Sequence, residues 1–223
     1  MSGATRPTPP IDEHEQPDRE PDGARRLPEQ SRSRERVEHV LDAAAALITE
    51  SGIDAMTMSR LAETAEVSLP SIYRYFPNKR AILATLFDRY AARVRHAIAA
   101  PLADIDSREA ARDALAAAMR RYWELYRSDA ALAAVFSAAL ADPELVGLDV
   151  ADSRTNGALL AEALAPGLDA APDERAAFVA SHLAGATVRL GVLLERDEAD
   201  EIVELLIDRV LVPLLLGEGS GEP

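Results

Sequence analysis

Hydrophobic positions along most of this chain recur with the spacing of an α-helix. The first stripe begins after Glu35, and its members lie three and four residues apart, as on one helix face. It consists of Val37, Val40, Leu41, Ala44, Leu47 and Ile48. No segment alternates apolar and polar residues with period two over a useful length, so no sheet is expected. The pattern predicts an all-α protein.

Interruptions of the pattern set the ends of about nine predicted helices. Gly52 suits the left-handed residue that follows a helix, and Pro77 ends the third helix. The predicted N-caps of the second, third and fourth helices are Thr57, Ser68 and Asn78. After the first helix, the predicted spans are 58–65, 69–76, 79–99, 107–127, 129–141, 149–165, 172–196 and 198–216, with Asp197 as the last break.

Both ends of the chain are predicted to lack a core. Residues 1–30 are rich in Pro, Glu, Asp and Arg and carry few large apolar side chains, which predicts disorder. Residues 218–223 are predicted to be a frayed tail.

The first helix is preceded by three arginines, Arg32, Arg34 and Arg36. They are either a solvated helix start or an arm that reaches the backbone or minor groove of DNA.

Charge is distributed unevenly along the chain. The formal net charge is −14, which taken alone argues against a nucleic-acid partner, because phosphate binding requires Lys and Arg. Residues 31–95, however, carry a net charge of +2, while residues 96–223 carry −13. Only the segment 31–95 is therefore a candidate for binding DNA.

Several classes of chemistry lack the residues that they need. The chain has no cysteine, and none of its four histidines has a partner at metal-ligand spacing. It has one lysine and no serine-elbow motif, so neither an enzyme, a metal site nor a cofactor is expected. The sequence shows no apolar signal core and no stretch long enough for a membrane span. The expected location is the cytoplasm, in association with the nucleoid.

The segment from Thr57 to Phe76 has the internal logic of a helix-turn-helix. Two short helices that cross steeply need a small residue at their contact, which Ala62 supplies, and Val67 and Ile72 would fill the wedge between them. The second helix would then project polar and aromatic side chains outward, namely Ser71, Tyr73, Arg74 and Tyr75. Core packing explains the apolar residues but does not explain the two tyrosines, which suit contacts with DNA.

Residues 36–87 resemble the N-terminal domain of the tetracycline-repressor (TetR) family. The matching pieces are Leu41-Asp-Ala-Ala, Gly52-Ile-Asp-Ala-Met-Thr57, Leu61-Ala62 and the run from Val67 to Leu83. Within that run, Pro70-Ser-Ile-Tyr-Arg-Tyr-Phe-Pro-Asn-Lys79 is similar to the recognition helix of the family and the lysine that opens its fourth helix. Residues 120–160 more loosely resemble the C-terminal domains of actinobacterial members.

The resemblance implies a fold, a function and partners. A DNA-binding domain at residues 31–77 would be joined by the fourth helix to a helical effector-binding and dimerisation domain at 78–217. The implied function is sequence-specific transcriptional regulation by a homodimer on a palindromic operator, most often repression that a small organic ligand relieves. A helical interaction module, a ligand-independent regulator and an activator remain as alternatives.

Roles in DNA binding follow from the same resemblance. The implied phosphate contacts are Thr57, Ser59, Arg60, Tyr73, Tyr75 and Lys79, and the implied base-edge contacts are Leu69, Pro70 and Ser71. One position departs from the family pattern, because Glu66 stands in the turn where glycine is usual. A non-glycine residue with positive φ there costs about 1 kcal/mol.

The C-terminal half carries two stripes that are either core or the wall of an effector cavity. The predicted cavity residues are Met119, Trp123, Tyr126, Phe136, Phe178, His182 and Arg189, with Trp123 facing inward. A palindromic operator requires a two-fold protein, and small residues on the penultimate helix would permit close approach to the last helix or its symmetry mate. The predicted dimer residues are Ala180, Ala184, Val188, Gly191, Ile202, Leu205 and Leu206.

Overall fold

A computed structural model describes the backbone of residues 23–217 and the side chains from residue 32 onward; within this range it contains helices and turns and no strand. The predicted all-α class is confirmed. Residues 1–22 and 218–223, for which disorder was predicted, lie outside the described residues. By its internal contacts the chain divides into two units, Met1–Arg36 and Val37–Pro223.

The helices follow one another with short connections. They are α1 (Gly23–Ala55), α2 (Met58–Thr64), α3 (Leu69–Tyr73), α4 (Lys79–Ala99), α5 (Arg108–Ser128), α6 (Ala130–Ala141), α7 (Val146–Leu164), α8 (Glu174–Gly191), α9 (Arg196–Leu206) and α10 (Val212–Leu216). Short 3₁₀ turns follow α4 and α7, each built around a proline, and a π-helical segment (Ile207–Leu211) joins α9 to α10. Counting that last run as one helix, the described residues contain the nine helices that the sequence predicts.

The first helix begins earlier than its hydrophobic stripe. It starts at Gly23, within the stretch 1–30 for which disorder is predicted. Ala, Arg, Leu, Glu and Gln dominate residues 23–30 and favour helix by intrinsic propensity, a signal that hydrophobic periodicity does not report. At the other end, Gly52 has φ 79°, as its predicted role requires, and one further turn follows it.

The penultimate helix ends five residues earlier than predicted, and the last helix begins two residues earlier. α8 ends at Gly191 rather than near residue 196, and Asp197 lies in the first turn of α9 instead of breaking the chain. An acid in the first turn stabilises a helix through its dipole, so Asp197 begins a helix here. The π-helical segment precedes Pro213, which has no N–H to donate within the helix and clashes with the preceding turn, and a wider turn accommodates it.

Residues 37–77, called the head below, pack α1, α2 and α3 around a shared apolar centre. That centre consists of Val40, Leu41, Ala44, Leu47, Ile48, Met56, Leu61, Ala62, Ala65, Ile72 and Phe76, all buried. His39 on α1 bonds the carbonyl of Ala65 at 2.8 Å, fixing the first helix against the end of the second. The head is thereby a rigid support for α3.

Residues 79–216, called the bundle below, hold the larger part of the core. Phe87 of α4 stacks on Phe136 of α6, with 4.5 Å between ring centroids. α7 and α8 approach closely at Gly157, where a Cβ would come within 2.8 Å of the backbone nitrogen of Phe178. Head and bundle belong to one compact unit, so the predicted boundary between residues 77 and 78 stays a proposal.

No single helix in residues 23–217 is long and apolar enough to cross a membrane. Together, α6 and the run Val146–Gly167 would be long and apolar enough to span a membrane. The two helices are, however, bent by 114° at their junction.

Candidate DNA-binding surface and effector cavity

The turn between α2 and α3 has the geometry that the helix-turn-helix prediction requires. The hydroxyl of Thr57 caps α2 by accepting from the backbone nitrogen of Arg60 at 3.2 Å. The chain then reverses through Glu66, whose φ is 52°, and the nitrogen of Val67 donates to the carbonyl of Ala62 at 3.0 Å. The positive φ predicted for Glu66 is confirmed, and this turn places α3 on the outside of the head.

Helix α3 is shorter than predicted and presents one exposed face. It ends at Tyr73 rather than Phe76, because a residue before proline is disfavoured in the helical region and Pro77 follows Phe76. Ile72 is fully buried and anchors the helix, while Tyr73 remains 48% exposed. The exposed members of the face are Pro70, Ser71, Tyr73 and Arg74, and Leu69 and Tyr75 are half-buried at its edges. The predicted base-reading residues therefore share one accessible surface.

Two hydroxyls on this surface are engaged with each other. Ser68 occupies the predicted N-cap position of α3, but its side chain makes no capping hydrogen bond. Its hydroxyl lies 2.7 Å from that of Ser71 instead. Ser71 is exposed, so its hydroxyl can exchange this partner for a base edge when DNA binds.

The cations nearest this surface differ in how they are held. Lys79 donates to the carbonyl of Ile53, which ties the start of α4 to the last turn of α1. Arg60 reaches back to the hydroxyl of Ser51 at 3.2 Å. Arg74 is exposed and has no ion pair within the described part of the chain. Arg74 is therefore the most available phosphate ligand of the head.

Four further arginines of the mildly positive segment form ion pairs with carboxylates of the same chain. Arg80 pairs with Asp142 at 2.7 Å, Arg89 with Asp42 at 2.6 Å and Arg93 with Asp129 at 2.5 Å, and Arg95 pairs with Asp152. The hydrogen bond from Arg80 holds the pKa of the Asp142 carboxyl below its ordinary value. The net charge of 31–95 therefore overstates the positive charge offered to DNA.

A cavity lies in the bundle between α4, α5, α7 and α8. Its volume is about 50 Å³, and all the empty space of the hollow together with its mouth, which is open to solvent, amounts to about 550 Å³. Apolar side chains form one side of it, among them Ile98, Leu115, Met119, Phe136 and Leu160. Polar side chains from α7 and α8 form the other side, namely Asp149, Asp152, Ser153, Asn156, Ser181 and Arg189. A few polar groups converging on an apolar hollow are typical of a ligand site.

Burial and ion pairing act on the ionisable groups that line the cavity. Asp149 accepts from Nη1 of Arg189 at 3.2 Å. Burial raises the pKa of Asp152, and the guanidinium of Arg95 partly offsets the effect. Burial also raises the pKa of Tyr122, which lines the cavity from α5, so its phenol stays protonated.

Two family models match this chain. Residues 40–86 match the model of bacterial regulatory proteins of the tetR family, and residues 109–206 match that of the tetracyclin repressor-like C-terminal domain. The two matches follow one another along the chain and together cover most of it. The chain belongs to the TetR family.

Similarity to individual relatives is concentrated in the N-terminal region. An uncharacterised HTH-type transcriptional regulator of Mycobacterium bovis is 38% identical over 71 residues, which are 32% of this chain and 36% of the relative. The HTH-type transcriptional repressor KstR of Mycolicibacterium smegmatis is 38% identical over 61 residues, 27% of this chain and 30% of that protein. The chain thus matches about a third of these relatives' length.

Solved structures of transcriptional regulators share the fold over most of this chain. A TetR-family transcriptional regulator from Streptomyces coelicolor is 28% identical with a TM-score of 0.57, over 78% of this chain and 94% of that one. The regulator FadR of Bacillus subtilis, solved in complex with stearoyl-CoA, is 23% identical with a TM-score of 0.57, over 82% and 99% of the two chains. The second likeness is one of fold alone.

In this TetR protein, only some of the predicted effector residues line the cavity. Met119, Phe136 and Arg189 line the cavity, whereas Trp123, Tyr126, Phe178 and His182 do not. Trp123 is buried, but it does not line this cavity. Its Nε1 donates to Asp200 of α9 at 2.6 Å, because a buried indole N–H needs a partner, and Tyr122 faces the cavity instead.

The other three misplaced residues have structural positions of their own. Tyr126 is fully buried in the core and its hydroxyl donates to the carbonyl of Ala133 at 3.3 Å. Phe178 lies under the guanidinium of Arg154, 4.5 Å from the ring centroid, and packs beside His182. His182 shares a hydrogen bond with Ser153, which places it next to the cavity rather than in its wall.

Sequence reasoning missed the polar side of the cavity, although a signal existed. Asp149, Ser153 and Asn156 lie four and three residues apart, in line with Leu160 on the same face of α7. All four are buried. Polar residues that continue an apolar helix face are costly to bury without a purpose, and that pattern is readable from the sequence.

The apolar surface of the last helices also differs from the prediction. Ala180, Val188 and Gly191 are buried within the protein, as is Leu206, so they offer nothing to a partner. Ala184 and Ile202 are half-buried, and Leu205 is 59% exposed. The exposed apolar residues of α8 are Val179, Leu183, Ala186 and Leu190, which form a different stripe. Small residues do permit helices to approach closely, but here that approach occurs inside the protomer.

Proposed function

We propose that this TetR protein is a sequence-specific transcriptional repressor that binds a palindromic operator as a homodimer and is released by a small organic ligand. The exposed face of α3 carries the proposal: Pro70, Ser71, Tyr73 and Arg74 project together from a helix-turn-helix whose inner face is fully buried. A short helix with this exposure suits insertion into a major groove. Repressor relatives such as KstR support the sign of the regulation.

The residue roles divide into phosphate and base contacts. Tyr73 and Arg74 have donors for phosphate oxygens, supported by Thr57, Ser59, Arg60, Tyr75 and Lys79 around the edge of the surface. Pro70 and Ser71, with Leu69 beside them, face the bases: the ring of Pro70 can pack on a thymine methyl and the hydroxyl of Ser71 can bond a base edge.

The homodimer is proposed to form through the exposed stripe of α8. Val179, Leu183, Ala186 and Leu190 are spaced four, three and four residues apart, which aligns them along one side of the helix. Leu190 is 47% exposed, and Leu205 of α9 adds to the apolar area. A self-complementary stripe of this kind fits a two-fold axis, which a palindromic operator also requires.

Helix α4 connects the cavity with the head. Ile98 near its end lines the cavity, and Arg95 one turn earlier binds Asp152 in the polar wall. Its first residue, Lys79, donates a hydrogen bond to the last turn of α1. A ligand that favours a different position of α4 would change the separation of the two heads, which must match major grooves roughly 34 Å apart.

The proposal is tested by fluorescence anisotropy with a labelled duplex from the region upstream of the gene. The protein is expected to bind it more tightly than a scrambled duplex of equal length. Tyr73→Phe should weaken binding to both duplexes alike, because it removes a phosphate contact, and Ser71→Ala should change the ratio between upstream variants. Equal affinity for every duplex, with no effect of Ser71→Ala, would contradict specific recognition.

A further inference from the structure

The polar wall of the cavity contains two buried acceptor atoms without a hydrogen-bond partner in the described part of the chain. They are Oδ2 of Asp149 and Oδ1 of Asn156. The two residues are only 5% and 7% exposed, and both line the cavity. Nδ1 of His182 lies 3.5 Å from Oδ2 of Asp149, but it is engaged with the hydroxyl of Ser153 at 3.2 Å. Buried acceptors left unpaired are unfavourable and are rare in folded proteins.

The orientation of both groups is fixed by their other atoms. Oδ1 of Asp149 accepts from Arg189, so the second oxygen is the one left over. Nδ2 of Asn156 donates to Asp152 at 2.9 Å. Turning that amide over would place its oxygen against the carboxylate of Asp152, so the oxygen stays the unpaired atom. Both unpaired acceptors therefore belong to residues that line the cavity.

Charge in the wall is already balanced. The carboxylates of Asp149 and Asp152 face the guanidinium groups of Arg189 and Arg95. An anionic ligand would meet no surplus of positive charge here, and its oxygens would meet two further oxygens. The wall atoms that lack a hydrogen-bond partner in the described residues are both acceptors.

Apart from Tyr122, the opposite side of the cavity offers only apolar contacts. Met119, Phe136 and Leu160 are buried there, and Leu115 and Ile98 extend the same surface. A ligand that fills this space must be apolar over most of its length and polar at one end.

We propose that the cavity binds a largely apolar small molecule whose polar end donates hydrogen bonds, as a hydroxyl or a primary amine does, and that Asp149 and Asn156 accept them. This inference rests on the proposed function, since it names the class of ligand that would release the operator. An acceptor-only or anionic end group would leave the same two oxygens unpaired.

The test measures binding of four eight-carbon probes to the full chain by titration calorimetry. 1-Octanol and octylamine carry donors, 2-octanone carries only an acceptor, and octanoate is an anion. At least one donor probe is expected to bind ten times or more as tightly as the ketone, and octanoate should bind most weakly. Octanol and octylamine together also distinguish a neutral donor from a charged one.

Asp149→Asn tests the assigned atom. The new amide oxygen can still accept from Arg189, so its N–H takes the place of the unpaired oxygen. The donor probes should then lose about tenfold in affinity, while 2-octanone should gain. Glu162→Gln, an exposed change of the same chemistry on α7, is the matched control and should change neither. If Asp149→Asn does not fold, Asn156→Leu removes the second acceptor and should reduce the preference for donors.

Two outcomes overturn the inference: equal or tighter binding of 2-octanone, or donor binding that neither variant changes. These experiments contain no DNA, so their result is separate from that of the proposed function. If the donor probes bind as expected but, in the separate anisotropy assay, leave the protein on its DNA, ligand release is refuted and the ligand class is not. Specific DNA binding without any donor preference would refute the ligand class alone.

Discussion

At the scale of single residues, Arg74 gives the sharpest test of the docking surface. It projects from α3 without an ion pair in the described residues, whereas Arg93 of α4 binds Asp129 at 2.5 Å. Arg74→Ala is expected to weaken binding to every duplex and to reduce the slope of log K against log salt by about 0.9, as for one lost phosphate contact. Anisotropy titrations over a range of salt measure both quantities.

Arg93→Ala serves as the control for this experiment. It removes the same charge from the chain but from a side chain already paired with a carboxylate, so the salt slope should stay close to that of the wild type. If the two variants lower the slope equally, the loss reflects net charge and α3 is not the phosphate-binding helix.

Glu66 offers a second test, of stability rather than of binding. Its φ of 52° is unfavourable for most side chains, but asparagine tolerates the left-handed region. Glu66→Asn is expected to raise the free energy of unfolding by about 0.5 kcal/mol, measured by urea denaturation. Glu63→Asn, an exposed change inside α2, should lower it by a few tenths of a kcal/mol through helix propensity. Changes of the same sign in both variants contradict the strained turn.

Residue positions were predictable where local chemistry decides them. Thr57 and Asn78 cap their helices as the sequence indicates, because a capping hydroxyl or amide needs only the next turn. The direction of Trp123 was not predictable. Neighbouring residues on a helix differ by about 100°, and the choice between Tyr122 and Trp123 depended on where Asp200 of α9 would lie.

At the scale of helices, the contact between α7 and α8 depends on the absence of a side chain. A Cβ at Gly157 would lie 2.8 Å from the backbone nitrogen of Phe178, and backbone cannot move aside as a flexible side chain can. Gly157→Ala is therefore expected to destabilise the protein by about 1–3 kcal/mol in urea denaturation.

Gly147 provides the matched control on the same helix. A Cβ there meets nothing within 4 Å, so Gly147→Ala should stabilise by about 0.5–1 kcal/mol through helix propensity alone. A loss of stability in both variants would mean that α7 does not tolerate alanine for some reason other than the contact with α8.

Periodicity predicted which helices exist but not which of two apolar faces meets the protein's own core. On α8, the small residues Ala180 and Gly191 lie on one side, and Leu183 and Leu190 on the other. Both sides read as apolar, and the choice is made by close neighbours such as the ring of Trp123, which a Cβ on Gly191 would contact at 2.8 Å. Long-range contacts of this kind leave no trace in local spacing.

At the scale of the whole molecule, assembly is tested on the exposed stripe of α8. Leu190→Glu places a charge at the C-terminal end of the proposed interface stripe and is expected to convert the dimer to a monomer at micromolar concentration, measured by sedimentation velocity. Leu140→Glu changes a comparably exposed leucine of α6 and should leave the dimer intact. A wild-type monomer, or a dimer that survives Leu190→Glu, would show that α8 does not form the interface.

Selection of bound sequences from a pool of random duplexes tests the central claim most directly. A homodimer that reads DNA with α3 is expected to enrich an inverted repeat whose half-sites face successive major grooves, about one helical turn apart. Ser71→Ala should enrich a repeat altered within the half-site but with the same spacing. Enrichment of no sequence, or of a single half-site without symmetry, would contradict operator recognition by a two-fold pair of heads.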